Sequence, residues 1–216
     1  MARPMRIDFV SDVTCPWCLI GLRGLEQALE RTRDIVDAEI HFQPFELNPD
    51  MPPEGQNMAE HVAEKYGATP EQSAANRATI RERAAALGFT MRFSDEMRIR
   101  NTFDAHRLLH WSASEGRQQA LKHALFEAYF TREENVADHE VLVAAAEQAG
   151  LDGDAARAVL GSDRYADDVR QAERLWRARG INAVPAIILD GRYLVSGGQP
   201  AETFEQVLRQ VVAAAA

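Results

Sequence analysis

Cys15 and Cys18 are the only cysteines in a chain of 216 residues, and only Pro16 and Trp17 separate them. A disulfide across so short a span closes almost no loop in the unfolded chain, so it stabilises a fold very little. The spacing points instead to thiol–disulfide exchange, in which one thiolate attacks a disulfide and a second thiol resolves the mixed disulfide. Ser11, Asp12 and Thr14 form a polar loop before the pair. From Pro16 onward Leu19, Ile20, Leu22, Leu25 and Leu29 recur at helical spacing, with a proline suited to a first helical turn. Cys15 therefore sits at the mouth of a helix, where unpaired amides and the positive dipole end favour a thiolate. This makes Cys15 the nucleophile and Cys18, one turn inward and less exposed, the resolving thiol. Pro16 and Trp17 tune the thiolate and shape the face shown to a partner. The competing reading of C-x-x-C is half of a zinc site, which needs two further ligands. No other cysteine exists, and only His106 and His110 have ligand-like spacing, without the glutamate of a metalloprotease motif. No metal is expected, and the two histidines read as partly exposed polar residues of an amphipathic helix.

Val184-Pro185 is the second chemically suggestive feature, because it precedes a compact apolar run, Ala186 to Leu189. Proline is confined to strand starts and edges, and an ordinary trans proline would satisfy that rule. Beside C-x-x-C and the element order below, a cis bond is the favoured form. It would set Pro185 against the Cys15 sulfur and aim the Val184 backbone at a bound peptide.

These residues need a scaffold. Met5 to Val10 alternates as a short buried strand, and Ala38 to Phe45 as a second, parallel to the first if the intervening helix is a crossover. From about Asn57 to Gly180 the pattern is helical, with segments at Pro70–Leu87, Thr102–Ser114, Arg117–Phe130, His139–Ala149, Gly153–Leu160 and Asp163–Arg179. Thr69, Pro70 and Gln72 have the form of a capping box, and Asp138, Asp152 and Ser162 are candidate caps. Strand signals return at Ala186–Leu189 and Tyr193–Val195 around the Asp190-Gly191 turn, before a last helix from Ala201 to about Val212. The fold class is α/β with a large all-helical insertion between the second and third strands. Residues 1–56 and 181–216 form one domain, and residues 57–180 the inserted helical subdomain.

Composition narrows the function. Hydrophobic residues make up 46% of the chain, enough for a core, and 33 acidic against 24 basic residues leave a net charge of -9. An acidic chain rarely supplies the clustered cations that phosphate neutralisation requires, so nucleic acid is not an expected partner. No apolar stretch approaches the roughly 20 residues of a membrane span, and no secretory signal is legible. A cytoplasmic location is expected.

The chain resembles the DsbA-like branch of the thioredoxin superfamily, in particular its FrnE-like (polyketide-isomerase-like) subgroup. That subgroup is related to 2-hydroxychromene-2-carboxylate isomerases and kappa-class glutathione transferases. The resemblance covers essentially the whole length. It rests on Asp12-Val13-Thr14-Cys15-Pro16-Trp17-Cys18, on Asn101 to Leu108, on Gly180 to Pro185 and on the Ser196-Gly197-Gly198-Gln199 turn. It implies a thioredoxin fold, with Cys15 as nucleophile, Cys18 as resolving thiol and Pro185 as cis-proline. It also implies a helical insert that walls the substrate cleft, with Asn101, His106 and Arg107 along it. Read from the residues alone, Asn101 equally suits a helix cap, and His106 and Arg107 a solvated face. Relatives of this kind bury an acid beneath the motif to take the proton of the second thiol. Asp8 and Asp12 are the nearby carboxylates; Asp12 reads as solvated, and Asp8 fits either role.

Three functions follow. The first is a thiol–disulfide oxidoreductase acting on protein or small-molecule disulfides, without a tightly bound cofactor and with glutathione as a candidate co-substrate. Because the chain holds no second cysteine pair, a separate thiol redox partner must recharge it. The second is a glutathione-dependent isomerase or transferase of small aromatic compounds, and the third a non-catalytic binding protein. Relatives with isomerase or transferase chemistry tend to carry Ser at the position of Cys15, so two cysteines favour the first. Homodimers are common among such relatives, although no exposed apolar stripe marks an interface.

Overall fold

The computed structural model describes residues 2–214; Met1 and the last two residues of the 181–216 segment lie outside them. Strand β1 (Arg3–Ser11) leads through helix α1 (Pro16–Arg31) to strand β2 (Val36–Pro44). The two strands pair in parallel from Arg3 opposite Val36 to Ser11 opposite Pro44, so α1 is a crossover helix. Its buried stripe of Cys18, Leu19, Leu22, Leu25 and Ala28 follows the helical period read from the sequence.

The insertion opens with a two-residue strand β3 (Gln56–Asn57), helix α2 (Met58–Tyr66), helix α3 (Pro70–Ala86) and a second short strand β4 (Arg98–Ile99). Strands β3 and β4 pair antiparallel, so a small ribbon interrupts the otherwise helical insertion. Helices α4 (Phe103–Ser114), α5 (Gln118–Phe126), α6 (His139–Gln148), α7 (Gly153–Leu160) and α8 (Ala166–Ala178) follow. Thr69 and Gln72 form the full capping box at α3, and Asp138 and Asp152 cap α6 and α7.

Two expectations need correction. Ser162 caps no helix: its hydroxyl donates back to the Ala158 carbonyl at 2.8 Å, finishing α7. Helix α8 starts at Ala166 instead, after Tyr165 turns the chain with a φ of 63°. The expected helix from Arg117 to Phe130 also changes type, because residues Glu127–Thr131 form a π turn. There the Phe130 carbonyl accepts the Arg92 amide at 2.8 Å, and the Thr131 hydroxyl donates to the Thr90 carbonyl at 2.7 Å. Partners from residues 90 to 92 thus hold the end of this turn. Ala128, Tyr129 and Phe130 become buried in succession.

After the insertion, strands β5 (Ala186–Leu189) and β6 (Tyr193–Ser196) complete a sheet of order β2-β1-β5-β6, and helix α9 (Ala201–Ala214) packs on α1. Strand β5 runs antiparallel to β1 with Ala186 opposite Val10. The chain leaving β1 toward Cys15 therefore lies beside the chain arriving at β5 through Val184 and Pro185. One continuous core joins the sheet to the insertion, with Ile7, Phe9 and Phe42 in the same cluster as Leu108, Leu121 and Leu125.

The Ser196–Gln199 turn is held against α1. A Cβ on Gly198 would lie 2.8 Å from the Trp17 carbonyl oxygen and 3.4 Å from the Gly21 amide nitrogen. A Cβ on Gly21 would in turn lie 3.1 Å from Pro185 Cγ. On the other side of the sheet, Glu46 and Glu173 are buried together around Arg170. The Glu46 amide donates to Glu173 Oε1 at 3.1 Å, and Arg177 donates to the Glu46 carbonyl at 3.2 Å. Burial and the Glu173 charge, opposed by Arg170, push the Glu46 carboxyl up to about 7.

Two outcomes are expected. Gly198→Ala forces the turn off α1 and lowers the unfolding free energy by about 1–3 kcal/mol in denaturant titration; an unchanged value would show that the approach is not tight. For Glu46 the folded pKa lies above the unfolded one. Its contribution is complete below the unfolded value and lost as pH rises through about 7. Glu46→Gln should therefore gain thermal stability relative to the parent on going from mildly acidic to mildly alkaline buffer, whereas parallel melting profiles would contradict the assignment.

Candidate active site

Cys15 is the N-cap of α1, in extended conformation with φ -90° and ψ 112°, and Pro16 opens the first turn. Its carbonyl accepts the Cys18 amide at 3.1 Å and the Leu19 amide at 3.4 Å, which fixes the two cysteines one turn apart. Both are free thiols. The Val184–Pro185 peptide is cis, and the Cys15 thiol donates to the Val184 carbonyl at 3.8 Å. This contact joins residues 169 positions apart. Cys15 is 4% exposed and Cys18 fully buried.

The insertion reaches the motif from α2 and α3. The Arg83 guanidinium lies 5.2 Å from the centre of the half-buried Trp17 ring. Tyr66, at the end of α2, is exposed, and its phenol is raised by partial burial and by the nearness of Cys15. Val184 thus touches the Cys15 sulfur, and the Tyr66 phenol lies near enough to feel its charge.

Beneath the motif the chain buries charge. The Cys18 thiol is pushed well above its ordinary value by burial and by Cys15. Lys122, on α5, is 0% exposed, and its ammonium lies 4.9 Å from the Phe126 ring centre and 5.9 Å from that of Phe42. Burial brings Lys122 down to about 8, against the opposing pull of Cys18, Asp12 and Cys15. Asp12 is 1% exposed and accepts the Leu47 amide through Oδ2 at 2.7 Å. Burial alone would raise its carboxyl, but His106, the Leu47 amide and Thr102 hold it below the usual range. His106 Nε2 stands 3.5 Å from Asp12 Oδ1, long for a hydrogen bond.

Several candidates change place. Asp12 is not solvated but buried, because the loop after β1 is covered by residue 47 and by α4. His106 is likewise buried, at 2%, while His110, one turn on, is exposed. Arg107 neither faces solvent nor joins the motif. Its guanidinium is buried and donates to the carbonyls of Val159, Ser162 and Arg164 and to Asp104, tying α4 to the α7–α8 connection. Asn101 accepts the Phe103 amide at 2.9 Å and donates to the Pro49 carbonyl at 3.3 Å, so it shapes the entry to α4. Asp8 is buried on β1 and pairs with Arg6 and Gln43. Among the described residues no group of three or more His, Cys, Asp or Glu side chains is placed to hold a metal ion, and no helix is long and apolar enough to cross a membrane.

Lys122, Tyr66 and Arg83 were not among the sequence candidates. For Lys122 a signal exists: Leu121, Leu125, Phe126 and Tyr129 recur at helical spacing, and Lys122 falls inside that apolar stripe.

Known proteins agree with this architecture. Residues 6–209 match the DSBA-like thioredoxin domain family. A probable DsbA oxidoreductase from Streptomyces coelicolor is 40% identical, with a TM-score of 0.90 over 97% of this chain and 90% of that one. The fold is also shared with a 2-hydroxychromene-2-carboxylate isomerase, 15% identical with a TM-score of 0.69 over 95% of each chain. A further likeness of fold is to the cytosolic disulfide reductase DsbM from Pseudomonas aeruginosa, solved with glutathione. It is 16% identical with a TM-score of 0.64, over 96% of this chain and 99% of that one. From the first strand to the last helix, the chain belongs to the DSBA-like thioredoxin family.

Proposed function

We propose that the protein is a thiol–disulfide oxidoreductase in which Cys15 attacks and Cys18 resolves. The observation that carries this reading is the Cys15 thiol at the start of α1, 3.8 Å from the carbonyl of Val184 and one turn from a second free thiol. In the reductive direction the Cys15 thiolate attacks one sulfur of a substrate disulfide. The S–S bond breaks, the first substrate thiol departs, and a mixed disulfide forms on Cys15. Cys18 then attacks Cys15 Sγ, releases the second substrate thiol and leaves an intramolecular disulfide. The reverse sequence oxidises a dithiol.

Substrate class follows from access. A nucleophile on a residue only 4% exposed, against the Val184 carbonyl, favours a low-molecular-weight disulfide or an extended peptide over a folded protein surface. Pro16, Trp17 and Val184 are the binding face in this reading, and Asn101 and His106 act from behind it. Recharging needs a separate thiol such as glutathione, since the chain has no other cysteine. A reductase or redox-defence role in the cytoplasm is the fitting setting, because that compartment holds most dithiols reduced.

A glutathione-dependent isomerase is the second reading, supported by the fold shared with 2-hydroxychromene-2-carboxylate isomerase. The resolving thiol argues for redox. Cys15→Ser should abolish reduction of glutathione disulfide and insulin. Cys18→Ser should stop turnover and accumulate a glutathione adduct on Cys15, read by mass spectrometry. Activity in Cys15→Ser would overturn the redox reading, and undiminished turnover in Cys18→Ser would favour isomerase or transferase chemistry.

A further inference from the structure

A disulfide that exchanges with Cys15 must come to rest against the start of α1, and the charge there differs from that of the chain as a whole. With 33 acidic and 24 basic residues the net charge is -9, so the average field of the protein repels anions. The first turn of α1 holds no acidic residue, and its cap, Cys15, makes no side-chain bond to the helix amides. The positive end of the helix is therefore not offset by a carboxylate of its own. Asp12, the nearest carboxylate in sequence, is buried: one oxygen accepts the Leu47 amide at 2.7 Å and the other stands 3.5 Å from His106. It belongs to the interior and not to the surface that a substrate meets.

Arg83, in the last turn of α3, adds a cation on the outside. Its guanidinium stands 5.2 Å from the centre of the Trp17 ring, within range of a cation–π contact. Trp17 is itself held in place. It packs partly buried against the core, and a Cβ on Gly198 would lie 3.2 Å from its Cε3. Other arginines of these two helices have polar partners: Arg77 donates to Ser73 at 2.9 Å, and Arg23 faces Glu26 at 3.7 Å. Among the described residues Arg83 has only the ring of Trp17. A guanidinium held over a ring keeps its planar fork of N–H donors for an anion that comes alongside, and that fork matches a carboxylate. Restraint by the ring lowers the entropy cost of using it.

We infer that Arg83 is a specificity-determining residue that receives a carboxylate of the reacting disulfide, so that the protein selects carboxylate-bearing low-molecular-weight disulfides over neutral and cationic ones. This rests on the dithiol reading above: it names the substrate class for the same exchange and adds no chemical step to it. The scale is suitable. Arg83 meets the residue two positions after Cys15, and a carboxylate one or two residues removed from the reacting sulfur extends about 7 Å from it. A small molecule also suits a nucleophile on a residue only 4% exposed.

The test compares kcat/KM for glutathione disulfide, bis(2-hydroxyethyl) disulfide and cystamine, which are anionic, neutral and cationic. Each value is divided by the rate constant of the same disulfide with dithiothreitol, which removes differences in intrinsic reactivity. On that scale the parent should prefer the anion, then the neutral compound, then the cation. In Arg83→Met the preference for glutathione disulfide over the neutral compound should fall by about 10-fold, mainly through KM. In Arg83→Glu the preference for glutathione disulfide over cystamine should fall by about 100-fold. An arginine that only braces Trp17 would slow all of these disulfides by one common factor. That result, variant preferences that overlay the parent's, or a parent that favours cystamine would overturn the inference. A parent that exchanges with none of them would overturn the dithiol reading instead. Binding of unreactive S-methylglutathione to the parent is independent of turnover and of any variant's folding. Its diethyl ester, with both carboxylates masked, should bind about 10-fold more weakly in calorimetric titration; equal affinity would contradict the inference.

Discussion

The antiparallel pairing of β1 with β5 is the constraint on which the site depends. With Val10 opposite Ala186, the residues just past one strand must lie beside the residues just before the other. This brings Cys15 to the Val184 carbonyl across 169 positions. The parallel pairing of β1 with β2 supplies the other half: it requires a crossover, and the crossover helix begins at the motif. The glycines of the last turn let that segment close on α1, with Gly197 donating its amide to the Pro185 carbonyl at 2.9 Å. One sheet thus brings helix start, cis peptide and turn together.

Around this frame the insertion does more than cover the core. It places apolar and cationic groups above the motif, through Tyr66 and Arg83, and an ammonium below it, through Lys122. A charge at such depth is costly unless it is paired or neutralised, and the hydrocarbon of the sheet–insert seam offers only ring faces and one polar cavity. Across this seam the charges of Cys18, Asp12 and Lys122 bear on one another. Each proton lost from Cys18 alters the field at Lys122, and each charge on Lys122 alters the ease of losing it.

Much of this was legible in the residues. The C-P-W-C spacing, the proline before an apolar run and the switch from period two to helical period and back give the motif, the α/β class and the insertion. The helix boundaries agree within a few residues where caps act locally, as at Thr69, Asp138 and Asp152. Agreement fails where long-range packing decides. Ser162 looks like a cap but finishes the preceding helix, and the π turn at Glu127–Thr131 is bonded to a distant segment, Thr131 donating to the Thr90 carbonyl and the Arg92 amide to the Phe130 carbonyl. Asp12, His106, Arg107 and Lys122 carry the charge of surface residues, yet all four are buried. Only the stripe containing Lys122 hinted at this, because a charge inside an apolar period is a local rule broken.

The central claim is that Cys15 and Cys18 form one redox couple. Equilibrating the protein with glutathione buffers of graded ratio, then quenching and counting alkylatable thiols, tests it directly. Both thiols should disappear together in a two-electron transition, with intact mass showing an intramolecular disulfide and no lasting adduct. Thiols that remain alkylatable at every ratio, or that are lost one at a time to stable glutathione adducts, would contradict it.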